Sequence, residues 1–350
     1  MATGETEYRG RRAFRIEDDA VAVTVSVEGG HIAELIEKST GVNPLWSPPW
    51  PSIEPSAWSM EAHPEYGDNS ESKLLAGILG HNLALDIFGG PSPEEYTAGI
   101  TVHGEASVVA YQIDVEGKRL TARAHLPLAQ LDFSREIDIR PGGVVGIRET
   151  VTNLTAMDRP IAWTQHVTLG PPFIEPGVTQ LRIPAHRSMV YPTDLSPEHQ
   201  PYRPGAEFTW PVAPTKDGGT LDLSVFPARE HSAGVTCHVV DEDREESFFV
   251  AWHPQSKVFC RYTWRRSDFP WISLWEENCS RTIPPWKGNT ITRGVEFGVS
   301  PFAEGRRAMI ERGSLFGVPT YRWVPASATV VVEYTANVGL ADSLRPATNL

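Results

Sequence analysis

Cysteine is scarce in this chain. The three present, Cys237, Cys260 and Cys279, form no C-x-x-C pair and are odd in number. A disulfide framework and a thiolate zinc site are both disfavoured. Positive charge is also short: 31 Lys and Arg stand against 44 Asp and Glu, for a formal net charge of −13. That balance argues against nucleic acid and against anionic membrane surfaces as partners. No apolar run approaches the roughly 18 residues that span a bilayer. The N-terminal MATGETEYRGRRAFRIEDD has no apolar signal core, so a cytoplasmic location is expected. H-E-x-x-H, a Walker loop, a G-x-G-x-x-G after a strand and a G-x-S-x-G elbow are all missing, and the eleven His include no H-x-H pair. No metal and no cofactor is therefore expected.

Helical periodicity is weak, and strand signals fill the space. Val21–Val27 alternates and turns at Gly29-Gly30 into His31–Lys38. Ser107–Val115 with Arg119–Leu126, and Leu131–Arg140 with Val144–Val151, read as hairpins about Gly-containing turns. Further strands are expected at Thr220–Phe226, Gly234–Val240, Phe248–Trp252, Lys257–Tyr262, Trp271–Trp275, Thr292–Val299 and Thr329–Tyr334. The best helix spans Pro301–Arg312, with Ser300 as its N-cap and Gly313 as its stop. Short strands joined by Gly/Pro turns predict an all-β fold, an antiparallel sandwich or barrel with few short helices. One domain over residues 1–350 is expected, with Trp/Pro-rich loops at about 41–66 and 184–217 as lids or as ornament over a sheet.

The most informative stretch is Ile147–Gly170, IRETVTNLTAMDRPIAWTQHVTLG, read as two strands joined by a polar turn. Along the second strand Ile161, Trp163, Gln165, Val167 and Leu169 point one way, and Ala162, Thr164, His166 and Thr168 the other. His166 thus faces water or a ligand rather than apolar neighbours. In ITRGVEFGVSPF, Glu296 shares a face with Gly294, Gly298 and Ser300, which leaves room beside its carboxylate. An exposed edge-strand glutamate would read the same way. His103 alternates with Thr101 and Glu105 and precedes Gly104, and is either structural or a ligand contact. In GILGHNLAL, His81 and Asn82 are weaker candidates: Asn82 suits a sugar hydroxyl or a turn. Trp275 and Glu276 close the strand of DFPWISLWEEN, an aromatic beside carboxylates that serves a sugar platform or a core strand end. Glu277 follows on the Trp275 face.

Four features in order resemble the galactose mutarotase-like superfamily, the aldose 1-epimerases and their relatives. They are His103-Gly104, then Val151–Leu154 followed by His166 in TQHVTLG, then Phe269–Glu276, and last Glu296 in RGVEFGVSPF before VPASATVVVEY. Together they span about residues 100–335. The resemblance implies a mutarotase-like supersandwich and an isomerase acting on a small sugar. It implies His166 as general acid at the ring oxygen, Glu296 as general base at the anomeric hydroxyl, and His103 as a substrate contact. The chain departs from the pattern after His166, where Val167-Thr168-Leu169-Gly170 replaces the usual tyrosine- and asparagine-containing run. The usual substrate-binding arginine has no counterpart, with His81-Asn82 near its place, and the usual aspartate is unplaced. A carbohydrate-binding protein on the same scaffold, or a lyase, isomerase or glycosidase using the same pair on a modified sugar, are the competing readings.

Overall fold

A computed structural model describes residues 3–344. Strands dominate and divide into two large antiparallel sheets. The first has twelve strands. It runs through Gly4–Tyr8, Arg11–Glu17, Val21–Ser26, Ile32–Glu37, His81–Asp86, Arg159–Leu169, Ile291–Gly298, Trp271–Asn278, Ser232–Val240, Ala185–Val190 and Glu207–Thr209, and Arg322–Val324 pairs beside Arg159–Ile161. The second has eight: Gln180–Arg182, Glu246–Trp252, Val258–Arg265, Thr329–Leu340, Val144–Asn153, Leu131–Arg140, Arg119–Leu126 and Gln112–Glu116. Among the described residues no helix is long and apolar enough to cross a membrane.

The alternation seen in the sequence is what lets the two sheets meet. Val23, Leu83, Trp163 and Phe297 from the larger sheet pack with Leu120, Phe133, Ile147 and Tyr262 from the smaller one in a single buried cluster. A polar knot is set inside it. Glu149 accepts from Arg135 Nε (2.8 Å), Trp163 Nε1 (2.8 Å), Gln165 Nε2 (2.6 Å) and Tyr334 Oη (2.8 Å). Every member is buried, so these bonds satisfy groups that would otherwise be costly to desolvate.

The expected strands are present with end shifts, and two expectations change, the helix start and the 184–217 loop. Val144–Asn153 pairs with Leu131–Arg140 in the smaller sheet as expected, and Arg159–Leu169 belongs to the larger, so the polar turn between them carries the chain across the sandwich. The helix is Arg306–Arg312 with Gly305 at its N-cap, not Pro301–Arg312 capped by Ser300. The Pro301 carbonyl accepts from Ser273 Oγ (2.7 Å) and the Glu304 carbonyl from the Gly89 amide (2.9 Å), so the leading residues are spent on tertiary bonds. Residues 184–217 are no mere loop, because Ala185–Val190 and Glu207–Thr209 extend the larger sheet.

The 41–66 segment is a wall. Trp46, Trp50 and Tyr66 pack with Leu74, Leu75 and Trp286 in a second cluster that Trp275 borders. Backbone bonds from Trp46 to the Thr168 carbonyl (2.8 Å) and from Gly170 to the Pro44 carbonyl (3.0 Å) fix it to the end of the His166 strand.

Candidate active site

His166 stands in the middle of the larger sheet. Its register partners are Asn82 on one neighbouring strand and Glu296 on the other, so all three side chains leave the same face of the sheet. His166 Nε2 lies 3.0 Å from Glu296 Oε1. Nδ1 lies 2.9 Å from Thr168 Oγ1 and 3.3 Å from Asn82 Nδ2. Asn82 Oδ1 in turn lies 2.9 Å from His103 Nδ1, and the two imidazole centroids are 4.5 Å apart. The site is sheltered: His166 is 5% exposed, Glu296 4% and Asn82 0%.

His103 reaches this row by a route other than the expected strand. It sits in a turn, with φ of +66° followed by Gly104 at +78°. Its carbonyl accepts from the Leu85 amide (3.1 Å), which stitches the turn to the Asn82 strand. A Cβ at Gly104 would overlap the Leu85 carbonyl, so only glycine allows this approach. A histidine at positive φ is a strained placement of the kind found at functional sites. Burial, followed by repulsion from His166 and His31, holds the His103 pKa well below the usual histidine value. Its ring is therefore neutral. Gly294 does a similar service for the carboxylate, because a Cβ there would collide with the Glu296 side chain.

Phe88, fully buried, lies against both rings, at 6.0 Å from His103 and 6.5 Å from His166. Half-buried Trp275 lies 6.0 Å from His166 on the other side and 6.0 Å from Trp286. The Arg281 guanidinium covers Trp286 at 4.7 Å and Trp275 at 5.8 Å. The arrangement is an imidazole and a carboxylate in contact on a sheet face, with a histidine and an amide beside them and an aromatic rim.

No protein-family model matches the sequence, and no curated protein matches it. Solved structures do. A candidate aldose 1-epimerase from Klebsiella pneumoniae superposes with a TM-score of 0.68 at 14% identity, over 97% of this chain and 82% of that one. A galactose mutarotase-like protein from Clostridium acetobutylicum gives 0.62 at 12% identity, over 96% and 98%. One from Lactobacillus casei gives 0.58 at 13% identity, over 93% and 100%. The fold is that of the galactose mutarotase-like proteins.

On this mutarotase-like scaffold His166, Glu296, His103 and Asn82 come together, with Trp275 at the rim. His81 and Glu276 do not join them. His81 precedes Asn82 on the same strand and so points to the opposite face. There it pairs with Tyr262 Oη (3.2 Å) and Gln165 Oε1 (3.0 Å), fully buried between the sheets. Glu276 is likewise on the inner face, opposite Arg293 in register, and accepts from Tyr202 Oη at 2.8 Å. Burial pushes its carboxyl up to about 7. Neither is placed to touch a substrate on the His166 face. Glu277 shares that face but is tied up by Ser280 and the Arg281 amide.

Three neighbours were missed in the sequence. Thr168 carried a signal, two residues after His166 on the polar face. Phe88 and Arg281 lie beyond strand ends, where no periodicity marks them. Among the described residues no group of three His, Cys, Asp or Glu side chains is placed to hold a metal ion.

Proposed function

We propose that the chain interconverts the anomers of a small aldose by acid–base ring opening, as an aldose 1-epimerase does. The observation that carries this reading is the direct contact of His166 Nε2 with Glu296 Oε1 at 3.0 Å. The two oxygens that exchange protons in this reaction, the anomeric hydroxyl and the ring oxygen, are bonded to one carbon. An acid and a base serving them must therefore stand side by side.

Glu296, as carboxylate, takes the anomeric hydroxyl proton. His166, as imidazolium, gives its Nε2 proton to the ring oxygen. The ring C–O bond breaks with its electron pair on that oxygen, and the former anomeric hydroxyl becomes the aldehyde. Rotation about the adjacent C–C bond presents the other face, and both transfers reverse on closure. Protons and electrons balance without a cofactor. Each positioned transfer contributes roughly 10²–10⁴-fold. Histidine suits the acid role because it exchanges protons near neutral pH. Thr168 Oγ1 accepts a hydrogen bond from the imidazolium Nδ1–H, and Trp275 offers the rim of the sugar site.

Glycoside hydrolysis fits less well. It uses two carboxyl groups roughly 5–9.5 Å apart, flanking the bond that breaks. Here the partner of Glu296 is an imidazole in contact with it. A carbohydrate-binding role would keep the rim and not need the pair.

The test is anomeric exchange by NMR over a panel of aldoses. Wild-type protein is expected to speed equilibration of at least one, and His166→Ala and Glu296→Gln to lose about 10²-fold or more of that rate. If no aldose equilibrates faster with wild type than with His166→Ala, the reading is rejected.

A further inference from the structure

An amide side chain has one donating end and one accepting end. Asn82 offers both at once, Oδ1 to His103 Nδ1 and Nδ2 to His166 Nδ1. All three side chains are buried, at 0%, 6% and 5% exposure, so water is a poor substitute for either bond. Protons on both Nδ1 atoms would set one N–H against the amide NH2. Protons on neither would set a lone pair against Oδ1. A buried polar group left without its partner is costly in either case. Thr168 Oγ1 also meets His166 Nδ1, but a hydroxyl rotates to donate or accept, so it follows the ring rather than sets it.

We infer that Asn82 is a positioning residue whose amide couples the two rings in opposite senses: whichever Nδ1 carries a proton, the other does not. The inference rests on the acid–base reading for its catalytic meaning. The coupling itself is a property of the free protein.

Two states follow. In the first, the Glu296 carboxylate draws a proton to His166 Nε2 and leaves Nδ1 bare. Asn82 then points its NH2 at His166 and its oxygen at His103, whose proton sits on Nδ1. Nε2 of His103 is left as an acceptor. In the second, His166 carries two protons, as the acid step requires. The amide turns over, its oxygen facing His166, and the single His103 proton moves to Nε2. A sugar hydroxyl beside His103 Nε2 thus meets an acceptor in one state and a donor in the other. The substrate contact is matched to the charge of the acid.

The groups facing His166 are few. Glu296 comes from the next strand and His103 from the turn. Asn82, Thr168, Phe88 and Trp275 are uncharged. His81 acts from behind the sheet and is held neutral by burial, its pKa well below the usual value.

The experiment labels the histidines of the full chain with ¹⁵N and follows both ring nitrogens between about pH 5 and 8. His103→Gln and His166→Gln supply the assignments. In wild type, His103 is expected to pass from Nδ1-protonated to Nε2-protonated with the same midpoint at which His166 gains its second proton. Asn82→Ala is expected to hold His103 in one tautomer while His166 titrates, and Thr168→Val to keep the coupling. Asn82→Asp, with two accepting ends, is expected to raise the His166 midpoint by about one unit or more. A His103 tautomer that ignores the ionisation of His166 in wild type overturns the inference, even if both Asn82 variants fail to fold. So does a switch that survives Asn82→Ala. Coupling seen without anomerase activity would reject the acid–base reading and leave this one standing.

Discussion

Glu276 and Glu296 stand on adjacent strands one step out of phase, and that step decides their chemistry. Glu296 faces an imidazole, whereas Glu276 faces the interior with Tyr202 and, in register, Arg293. Burial is the largest cause of the raised Glu276 pKa; Arg293 and the Tyr202 bond pull it down, and Glu277 pushes it up. A carboxyl raised in the folded state from 4.5 to about 7 contributes stability below the lower value and loses it as pH rises through the upper one. Glu276→Gln accepts the same tyrosine bond and cannot ionise. Its melting temperature should exceed that of wild type by about 3 °C or more at pH 8, with the gap shrinking toward pH 5. Thermal melts across that range check this, and a gap independent of pH counts against it. The parity that separates these glutamates is legible in the sequence, since Glu276 is one residue from Trp275 on an alternating strand and so takes the opposite face. The dipeptide His81-Asn82 obeys the same parity: adjacent residues on a strand cannot both face one site, and only Asn82 does.

At the scale of the element, the strand Ile291–Gly298 gives up two side chains around its glutamate. The backbone at Gly294 is ordinary extended chain, so alanine fits it, but the added Cβ would meet the Glu296 carboxylate. That carboxylate ends a flexible side chain, so it should move and the fold should hold. Gly294→Ala is expected to slow anomer exchange about tenfold or more, with little change in melting temperature. A rate within about twofold of wild type would show that Gly294 has no part in setting the carboxylate. Strand positions were readable because alternation is a local property. The sheet that takes each strand was not, because alternation does not say it: Val144–Asn153 and Arg159–Leu169 follow one another in the sequence and lie in different sheets. The helix start failed for a related reason. Pro301 and Glu304 look like a first turn until tertiary donors claim their carbonyls.

For the whole molecule, the fold class followed from the spacing of strands and turns, and the polar knot behind the site did not. Arg135, Glu149, Gln165 and Tyr334 are scattered over two hundred residues, and only the closed sandwich brings them together. Glu149, fully buried, accepts from four donors. Glu149→Gln would set an amide NH2 against those donors and strip the buried Arg135 of its counter-charge. The expected loss is about 3–5 kcal/mol of stability, read as an earlier urea midpoint, and a loss under about 1 kcal/mol would contradict this account.

His166 and Glu296 occupy directly opposed positions on two central strands, and their separation is therefore a property of the backbone lattice. Rim loops are free to lengthen, shorten and change composition without moving it. Within the strands, residues may be exchanged but not inserted or lost, because a slip of one residue turns every side chain to the other side. The genetic consequence is a divided tolerance: rim loops can change length, while a single-codon insertion or deletion in either strand would send one partner into the sandwich and leave the other without it on the sheltered outer face.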